Sequence, residues 1–293
     1  MVKNILMGVA LSTVIWSCST SQKKDSVTNK KEIKMVTKSN KQKVKVVELL
    51  NSIENGDTKP VSYINPNKYT QHNLAVGDGL AGFGQVLSQL PKGSAKVEVI
   101  RVFEDGNYVF AHTKYNFFGP KAGFDVFKFE DGLIVEHWDN LQEIVDKTVS
   151  GRTQFDGTTD IIDLDKTKAN KILVKNFVVD VLMGANPSKI TDYISTETYL
   201  QHNPNVGDGL DGLGKALEEL AKAGMPMKFT NNHKILGEGN FVLSISEGEF
   251  LKKHVSFYDL FRIENGKIVE HWDTIEEIPT KENRKNNNGK FNY

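Results

Sequence analysis

The chain has 293 residues, of which 39% are hydrophobic and 25% are charged, with 24 Gly and 8 Pro. This length suits two domains of roughly 100–200 residues each, and the composition is that of a globular chain, neither disordered nor collagen-like. The 37 Lys and Arg balance the 37 Asp and Glu, so no net positive charge draws the chain to nucleic acid. Cys18 is the only cysteine, which excludes an intrachain disulfide and a cysteine-rich zinc site.

The first 18 residues resemble a bacterial lipoprotein signal peptide. Lys3 precedes an apolar run over residues 5–15, which is too short to span a bilayer because a spanning helix needs roughly 20 residues. The run ends at Cys18, and a polar tether covers residues 19–40. The resemblance implies acylation of Cys18 and a lipid-anchored protein of the bacterial cell envelope, facing the periplasm or the cell surface. The alternative is an ordinary secretory signal with an incidental cysteine.

The rest of the chain contains one sequence pattern twice. YTQHNLAVGDGLAGFGQ begins at Tyr69, and YLQHNPNVGDGLDGLGK begins at Tyr199, 130 positions later. DGLIVEHWDN begins at Asp131, and NGKIVEHWDT begins at Asn265, 134 positions later. Repeats of this kind predict two copies of one structural unit. We place the first domain at 41–147, a linker at 148–168, the second domain at 169–280 and a tail at 281–293.

Each copy reads as helices followed by antiparallel strands. Apolar residues recur at helical spacing before Gly56 and Gly184, and again after each YxQHN motif. Alternating β-rich runs follow, broken by the hairpin signals EDG and ENG. This order predicts an α+β fold, in which a curved sheet packed on helices encloses a cavity. The helical stripes are Val46, Leu49, Leu50 and Ile53, then Leu80, Phe83, Leu87 and Leu90 in the first copy; and Val174, Phe177, Val178, Val181 and Leu182, then Leu210, Leu213, Leu217 and Leu220 in the second.

The last strand of each copy carries a histidine and an aspartate two residues apart. Alternation places Val135, His137 and Asp139 on one face of this strand, and Glu136 with Trp138 on the other. In the second copy the same positions are occupied by Val269, His271 and Asp273 on one face, and by Glu270 and Trp272 on the other.

The turn at Asp131-Gly132 decides what faces His137. A two-residue loop would set Val126 opposite His137, whereas a three-residue loop would set Asp125 there. We favour the three-residue loop, because it gathers Asp125, His137 and apolar side chains on one face. Carboxylates and a histidine on an apolar face should have perturbed pKa values, which makes them site candidates; the alternative is that they pair with backbone inside the sheet. The predicted set is Asp125, Phe127, Val135 and His137 with Lys128 and Glu136 outside in the first copy, and Asp259, Phe261, Val269 and His271 with Arg262 and Glu270 outside in the second.

Other repeated polar residues fall between helix and sheet. Asp78 and Asp208 stand where helix N-caps are expected. The YxQHN side chains either hold a loop by hydrogen bonds or line the mouth of the pocket. His72, His112, His137 and Asp139 could in principle bind zinc, but Ser244 stands in the second copy where His112 stands in the first, so we expect no metal. The YxQHN side chains concerned are Tyr69, His72 and Asn73, with Tyr199, His202 and Asn203.

The motifs YxQHN…DG and GKIVEHWD resemble those of the SnoaL-like polyketide cyclases, within the nuclear transport factor 2-like superfamily. The similarity extends over residues 41–145 and again over 153–291, most closely to the branch described as predicted aldol-condensation-catalysing enzymes. It implies two tandem cone-shaped α+β barrels, each with a pocket between sheet and helices. It also implies that a histidine and an aspartate two residues apart act in the pocket, which assigns the role to His137 and Asp139, and to His271 and Asp273.

Two functions follow from these residues. In the first, Asp139 or Asp273 removes a proton next to a carbonyl group and His137 or His271 stabilises the enolate, giving aldol-type cyclisation or isomerisation without metal or cofactor. In the second, the protein is a non-catalytic lipoprotein that binds a small apolar or carbonyl-containing ligand or a partner protein. Asp125, Asp259 and His112 join the YxQHN residues as candidate ligand contacts. We favour the second copy, with Asp273 as the base, and association through the sheets would be consistent with either function.

Overall fold

The computed structural model describes residues 41–90 and 93–293, so the predictions for the signal peptide, Cys18 and the whole tether lie outside the described residues. The predicted α+β class is confirmed: two five-stranded sheets each carry helices on one face. The first half, α1 to β5, and the second half, α3 to β10, repeat the same order of elements. The elements are α1 (41–55), β1 (Thr70–Gln71), α2 (Gly79–Gln89), β2 (Lys96–Asp105), β3 (Tyr108–Asn116), β4 (Pro120–Glu130), β5 (Leu133–Glu143), α3 (Thr167–Phe177), α4 (Ile190–Tyr193), β6 (Leu200–Gln201), α5 (Gly209–Lys222), β7 (Lys228–Glu238), β8 (Phe241–Phe250), β9 (Lys253–Glu264) and β10 (Lys267–Glu277).

The sheets have the orders β1-β5-β4-β3-β2 and β6-β10-β9-β8-β7. The two-residue strands β1 and β6 pair in parallel with β5 and β10, and the remaining pairs are antiparallel. The last strand of each half is therefore central, between a long antiparallel neighbour and the YxQHN segment. No helix of the described ranges has the length and apolar character to cross a bilayer.

The register of the β4–β5 hairpin differs from both predicted registers. Asp131 and Gly132 both have positive φ, +49° and +80°, as a two-residue type I′ turn requires. A bulge then adds one residue to β5, so that Asp125 lies opposite Asp139 and Phe127 opposite His137. The predicted three-residue loop is wrong, but the shift of two positions preserves the face: Asp125, Phe127 and His137 lie together. The second half has the same bulge, with Asp259 opposite Asp273 and Phe261 opposite His271.

The first helix of the second half departs from a single α-helix. The apolar stripe predicts one helix from Val174 to Leu182, but α3 ends at Phe177 and a π-helical turn covers Val178–Leu182. Val174, Phe177 and Val178 still face the sheet, where they pack on Phe261 and Ile268. The wider turn therefore changes the backbone without moving the apolar stripe from the core.

The sheet face predicted to be the outside is instead the interface between the halves. Trp138 and Trp272 are fully buried in one apolar cluster built from both sheets. Large side chains of this kind each contribute about 1.5–3 kcal/mol when fully buried. Arg262 and Glu270, predicted to be outside, form an ion pair of 2.6 Å here, and Glu270 is buried. The cluster contains Phe103, Tyr108, Phe110, Phe124, Val126, Trp138, Leu236, Phe241, Leu243, Ile245, Tyr258, Leu260 and Trp272.

Two segments cross between the halves. The linker strap (residues 149–158) follows the first half but lies on the second, where Val149 N donates to Pro204 O at 3.0 Å. The tail strap (residues 285–293) follows the second half but lies on the first, where Lys285 N donates to Leu74 O at 2.8 Å. Pro204 and Leu74 occupy the same position of the two YxQHN motifs. Each half is thus covered by the strap that follows the other.

Candidate functional site

The second half assembles a buried cluster of one histidine and two aspartates on the helix-facing side of β9 and β10. His271 Nε2 lies 3.0 Å from Asp259 Oδ1, and its Nδ1 lies 3.1 Å from Gln201 Oε1. Asn203 Nδ2 donates to Asp273 Oδ2 at 2.6 Å. Within the described residues, Asp259 Oδ2 and Asp273 Oδ1 are buried and have no hydrogen-bond partner. Buried polar atoms are normally paired, so these two oxygens mark a functional site.

Burial and the neighbouring charges shift the pKa values of His271 and Asp273. Burial raises the pKa of Asp273 to about 6, and the charge of Asp259 adds to the rise, while His271 and Asn203 oppose it. Burial lowers the pKa of His271, but its hydrogen bond to Asp259 and the charges of both aspartates outweigh burial and leave that pKa raised. Both partners of the His271 ring are acceptors, as the doubly protonated imidazolium requires. A carboxyl with a pKa near neutrality is suited to general acid–base chemistry.

The YxQHN loop is folded so that its side chains reach the strand. Asp208 Oδ1 accepts the Gln201 amide at 2.8 Å, and Asn203 Oδ1 accepts the Asn205 amide at 2.8 Å. These local bonds turn the loop and leave the Asn203 amide group directed at Asp273. The predicted capping role of Asp208 is wrong, because it stands at the N-cap of α5 without a side-chain bond to the helix, and Asp78 likewise accepts the Gln71 amide instead.

The first half repeats this cluster with added partners. His137 Nε2 lies 3.2 Å from Asp125 Oδ1, and Asn73 Nδ2 donates to Asp139 Oδ2 at 2.7 Å. Here the Tyr115 hydroxyl donates to Asp125 Oδ2 at 2.6 Å, and Lys290 Nζ of the tail strap lies 3.9 Å from Asp139 Oδ1. Burial raises the pKa of Tyr115 well above its usual value, which keeps the hydroxyl a donor.

The second half has neither of these partners. Gly248 occupies on β8 the position of Tyr115 on β3, and a Cβ there would lie 1.8 Å from Lys228 O, so no side chain fits. Gln154 occupies the position of Lys290 in the linker strap, and it bonds to Val145 N and Glu143 O. The two halves have therefore diverged in chemistry while keeping the same histidine–aspartate pair.

The cavities of the two halves differ as well, because that of the second half is much larger. The first half encloses about 90 Å³, lined directly by Asp125, His137 and Asp139, which is room for a few waters at about 30 Å³ each. The second half has an open cavity of about 600 Å³, within the range of about 300–1,000 Å³ that is usual for ligand sites. Asn203 and Ile275 line it, so Asp273 lies one hydrogen bond behind its wall. Its apolar lining is Val206, Ala216, Leu220, Met227, Phe250, Leu251, Val255 and Ile275.

The structure separates three predicted site histidines from the cluster. His72 stacks on Trp138 and bonds to Gly289 O, while His202 stacks on Trp272 and bonds to Thr153 O, so both lie on the interface side of the sheet. His112 is on this side too, stacked on Phe124. The strand neighbours place Ile245, and not Ser244, at the position equivalent to His112, because Ile245 pairs with Tyr258 as His112 pairs with Phe124.

The other predicted residues are brought together. Tyr69 and Asn73 line the first cavity, and the hydroxyls of Tyr69 and Tyr199 accept the side-chain amides of Gln71 and Gln201. Sequence reasoning missed both glutamines, although they stand in the repeated YxQHN motif, next to the residues that were chosen. It also missed Tyr115 and Lys290, for which the sequence carries no signal because neither lies in a repeated motif.

The zinc set considered from sequence is not assembled, because His72 and His112 lie on the opposite side of the sheet from His137 and Asp139. The cluster residues themselves are close: one ligand atom from each of Asp259, His271 and Asp273 lies within 4.8 Å of the others, as in the first half. The absence of a metal therefore stays a prediction.

No family model and no curated protein matches the sequence. Among solved structures, TsrD from Streptomyces laurentii is similar at 18% identity, over 35% of this chain and 89% of its own, with a TM-score of 0.31. An NTF2-like protein of unknown function from Cytophaga hutchinsonii is similar at 16% identity, over 34% of this chain and 89% of its own, with a TM-score of 0.31. An LEH-like epoxide hydrolase from M. tuberculosis is similar at 18% identity, over 36% of this chain and 84% of its own, with a TM-score of 0.31.

Proposed function

We propose that the second half binds a small carbonyl compound and that Asp273 acts there as a general base. One observation carries the proposal: Asp273 Oδ1 is buried without a partner among the described residues, beside a cavity of about 600 Å³. Asp139 Oδ1 is also buried without a hydrogen bond, but Lys290 Nζ lies 3.9 Å from it, whereas no lysine or arginine of the described residues forms an ion pair with Asp273. An unpaired buried carboxyl destabilises the fold, and such groups cluster at functional sites.

Asn203 stands between Asp273 and the cavity, so in the proposed reaction its side chain turns aside before the ionised Asp273 removes a proton from the carbon next to the carbonyl group. The electron pair of the broken C–H bond moves onto the carbonyl oxygen and forms an enolate, and the proton stays on Asp273. His271 already directs both ring nitrogens at acceptors, so it would stabilise the enolate through its positive charge rather than by a new hydrogen bond. Return of the proton to another carbon gives isomerisation, and attack of the enolate carbon on a second carbonyl gives aldol-type cyclisation.

The alternative function is binding without turnover, by a protein that holds a small apolar ligand or a partner. The first half favours such a role for itself, because the Tyr115 hydroxyl bonds to Asp125, the charge of Lys290 lies near Asp139, and its cavity is small. We also propose that Cys18 is acylated and that the protein is anchored in the bacterial cell envelope. The charged–apolar–cysteine order of residues 1–18 supports this proposal.

Hydrogen exchange of ketones in D₂O tests the base directly. We expect the wild-type protein to accelerate exchange of α-hydrogens in at least one member of a panel of β-keto esters and methyl ketones, followed by NMR. Asp273→Asn should abolish the acceleration, because the amide cannot accept the proton, while Asp139→Asn should retain it. An Asp273→Asn protein with wild-type exchange would overturn the proposal, and a panel with no exchange but with saturable binding would favour the alternative.

A further inference from the structure

Arg101 on β2 of the first half is a buried cation whose hydrogen bonds reach the linker strap. It is 3% exposed, and its guanidinium donates to three carbonyl oxygens: Thr158 O at 2.9 Å, Phe155 O at 3.1 Å and Asp156 O at 2.7 Å. Within the described residues, no carboxylate lies at ion-pair distance from it. The guanidinium presents its donors in a planar fork, which a lysine cannot reproduce. Burial lowers the pKa of Arg101 to about 10, so it is still charged at neutral pH.

The strap is pressed between Arg101 and the second sheet. Trp272 Nε1 donates to Asp156 O at 2.9 Å, and the Arg101 guanidinium carbon lies 4.5 Å from the centre of the Trp272 ring. Gly157 has a φ of +96°, and a Cβ at this position would lie 2.2 Å from Glu270 Oε1. Close packing at Gly157 therefore restricts the backbone of the strap on this surface, and the hydrogen bonds of Arg101 hold it in that position.

The same strap holds the YxQHN loop of the second half. Thr153 O lies 2.8 Å from His202 Nδ1, and Ser150 Oγ donates to Gln201 O at 2.8 Å. Arg152 Nη2 donates to Asp208 Oδ2 at 2.9 Å, and Asp208 in turn accepts the Gln201 amide. These bonds fix the loop from its outer side, opposite the site.

We infer that Arg101 of the first half is a positioning residue for the site of the second half. It fixes the linker strap, the strap fixes the loop, and the loop presents Gln201 to His271 and Asn203 to Asp273. The relevance of this site to chemistry rests on the proposed function, but the positioning itself can be measured without turnover. The second half's site is then incomplete without a residue that lies more than 150 positions earlier in the chain than its histidine.

The chain offers a matched control that contacts the tail strap instead of the linker strap. Lys234 on β7 occupies the position of Arg101 on β2, since it pairs with Ile245 as Arg101 pairs with His112. Its Nζ lies 4.0 Å from the centre of the Tyr108 ring and 5.7 Å from that of Tyr293 in the tail strap. Replacing Lys234 removes a half-buried cation at the interface between the halves, but one that contacts the tail strap and not the linker strap.

The experiment compares Arg101→Met, Arg101→Lys and Lys234→Met in the full chain by NMR and amide hydrogen exchange. We expect Arg101→Met to change the His271 ring nitrogen resonances and to speed exchange of the amides of residues 201–203, 205 and 206 by about tenfold or more, with the 71–76 amides unaffected. Arg101→Lys should restore these signals only in part, because it lacks the fork. Lys234→Met should leave His271 and these loop amides as in the wild type.

The inference is overturned if a folded Arg101→Met protein keeps the wild-type His271 resonances and loop exchange, or if Lys234→Met disturbs them equally. If Arg101→Met does not fold, Arg152→Ala replaces it, because Arg152 is about one-third exposed and contacts the loop directly. That variant should change the His271 ring nitrogen resonances and speed exchange of the same loop amides, and unchanged signals would again overturn the inference. If the His271 signals of Arg101→Met change as expected but the wild-type protein exchanges no ketone hydrogens, the positioning role is supported and the proposed function is wrong.

Discussion

Replacing Asp273 by asparagine should remove a loss of stability that the wild-type protein suffers as the pH rises. The carboxyl of Asp273 has an ordinary pKa of 3.8 and a folded-state pKa of about 6, raised mainly by burial. Below pH 3.8 the group is protonated in both the folded and the unfolded chain. Between pH 3.8 and 6 the folded chain keeps a proton that the unfolded chain has lost, so the free energy of unfolding falls as the pH rises.

At 1.36 kcal/mol per pH unit, this rise in pKa corresponds to about 3 kcal/mol of stability lost by pH 8. Asparagine has no charge to bury, so Asp273→Asn does not suffer this loss. The new amide places an NH₂ group without a partner, which costs about 1–3 kcal/mol at every pH. The change between pH 4 and pH 8 is therefore the informative quantity, because the constant cost cancels from it. Part of this change in the free energy of unfolding comes from His271, because the charge of Asp273 helps to raise the pKa of His271.

Urea unfolding of the wild-type and Asp273→Asn proteins at pH 4 and pH 8 measures this difference. We expect the variant to gain about 2.5 kcal/mol relative to the wild type over that interval, because a small part of the loss has already occurred at pH 4. Asp139→Asn is the matched control, because Lys290 lies 3.9 Å from Asp139 and its removal breaks a charge pair. It should show no comparable gain. If the wild-type and Asp273→Asn proteins lose stability in parallel between pH 4 and pH 8, the account of Asp273 as an unpaired buried carboxyl is wrong.

Three further predictions concern other parts of the chain. Lys290→Met should destabilise the protein by about 3 kcal/mol at pH 8 in urea unfolding, since it leaves the buried Asp139 and the half-buried Glu276 without their cation; an unchanged midpoint would contradict the pairing. Because burial already raises the pKa of Glu276, protonation should reduce this loss at pH 5. Residues 153–293 alone should fold but self-associate in analytical ultracentrifugation, because the sheet face around Trp272 loses its cover; a stable monomer would refute this. Cys18→Ser should move the protein from the membrane to the soluble fraction, and membrane fractionation at the wild-type level would exclude acylation.

The sequence predicts the class of fold and the side of the strand on which the site lies, for a physical reason. The repeated motifs identify two equivalent units, and β alternation alone places His271 and Asp273 on the face opposite Trp272. The register could not be predicted, because it depends on the bulge after Ile268. The turn residues Asn265 and Gly266 fit a two-residue loop whether or not such a bulge follows.

The partners of the cluster could not be predicted, because they come from other parts of the chain. Lys290 reaches Asp139 only because the tail strap returns to the first half. Arg101 contacts a strap that belongs in sequence to the linker. His72 and His202 were candidates because of their motif, but the parallel pairing of β1 and β6 turns them to the interface side. These features depend on tertiary contacts between the halves, and the local sequence pattern does not predict such contacts.

The central claim, that the ligand site lies in the second half, is tested most directly by native mass spectrometry with matched cavity-filling variants. Ala216 and Val86 occupy the same position of the two repeats, and each lines the cavity of its own half. We expect the protein to carry one small carbonyl compound per chain, either from its source or from the ketone panel. Ala216→Trp should lose this ligand and Val86→Trp should keep it. Retention of the ligand by Ala216→Trp together with its loss from Val86→Trp would contradict the account, because the site would then lie in the first half.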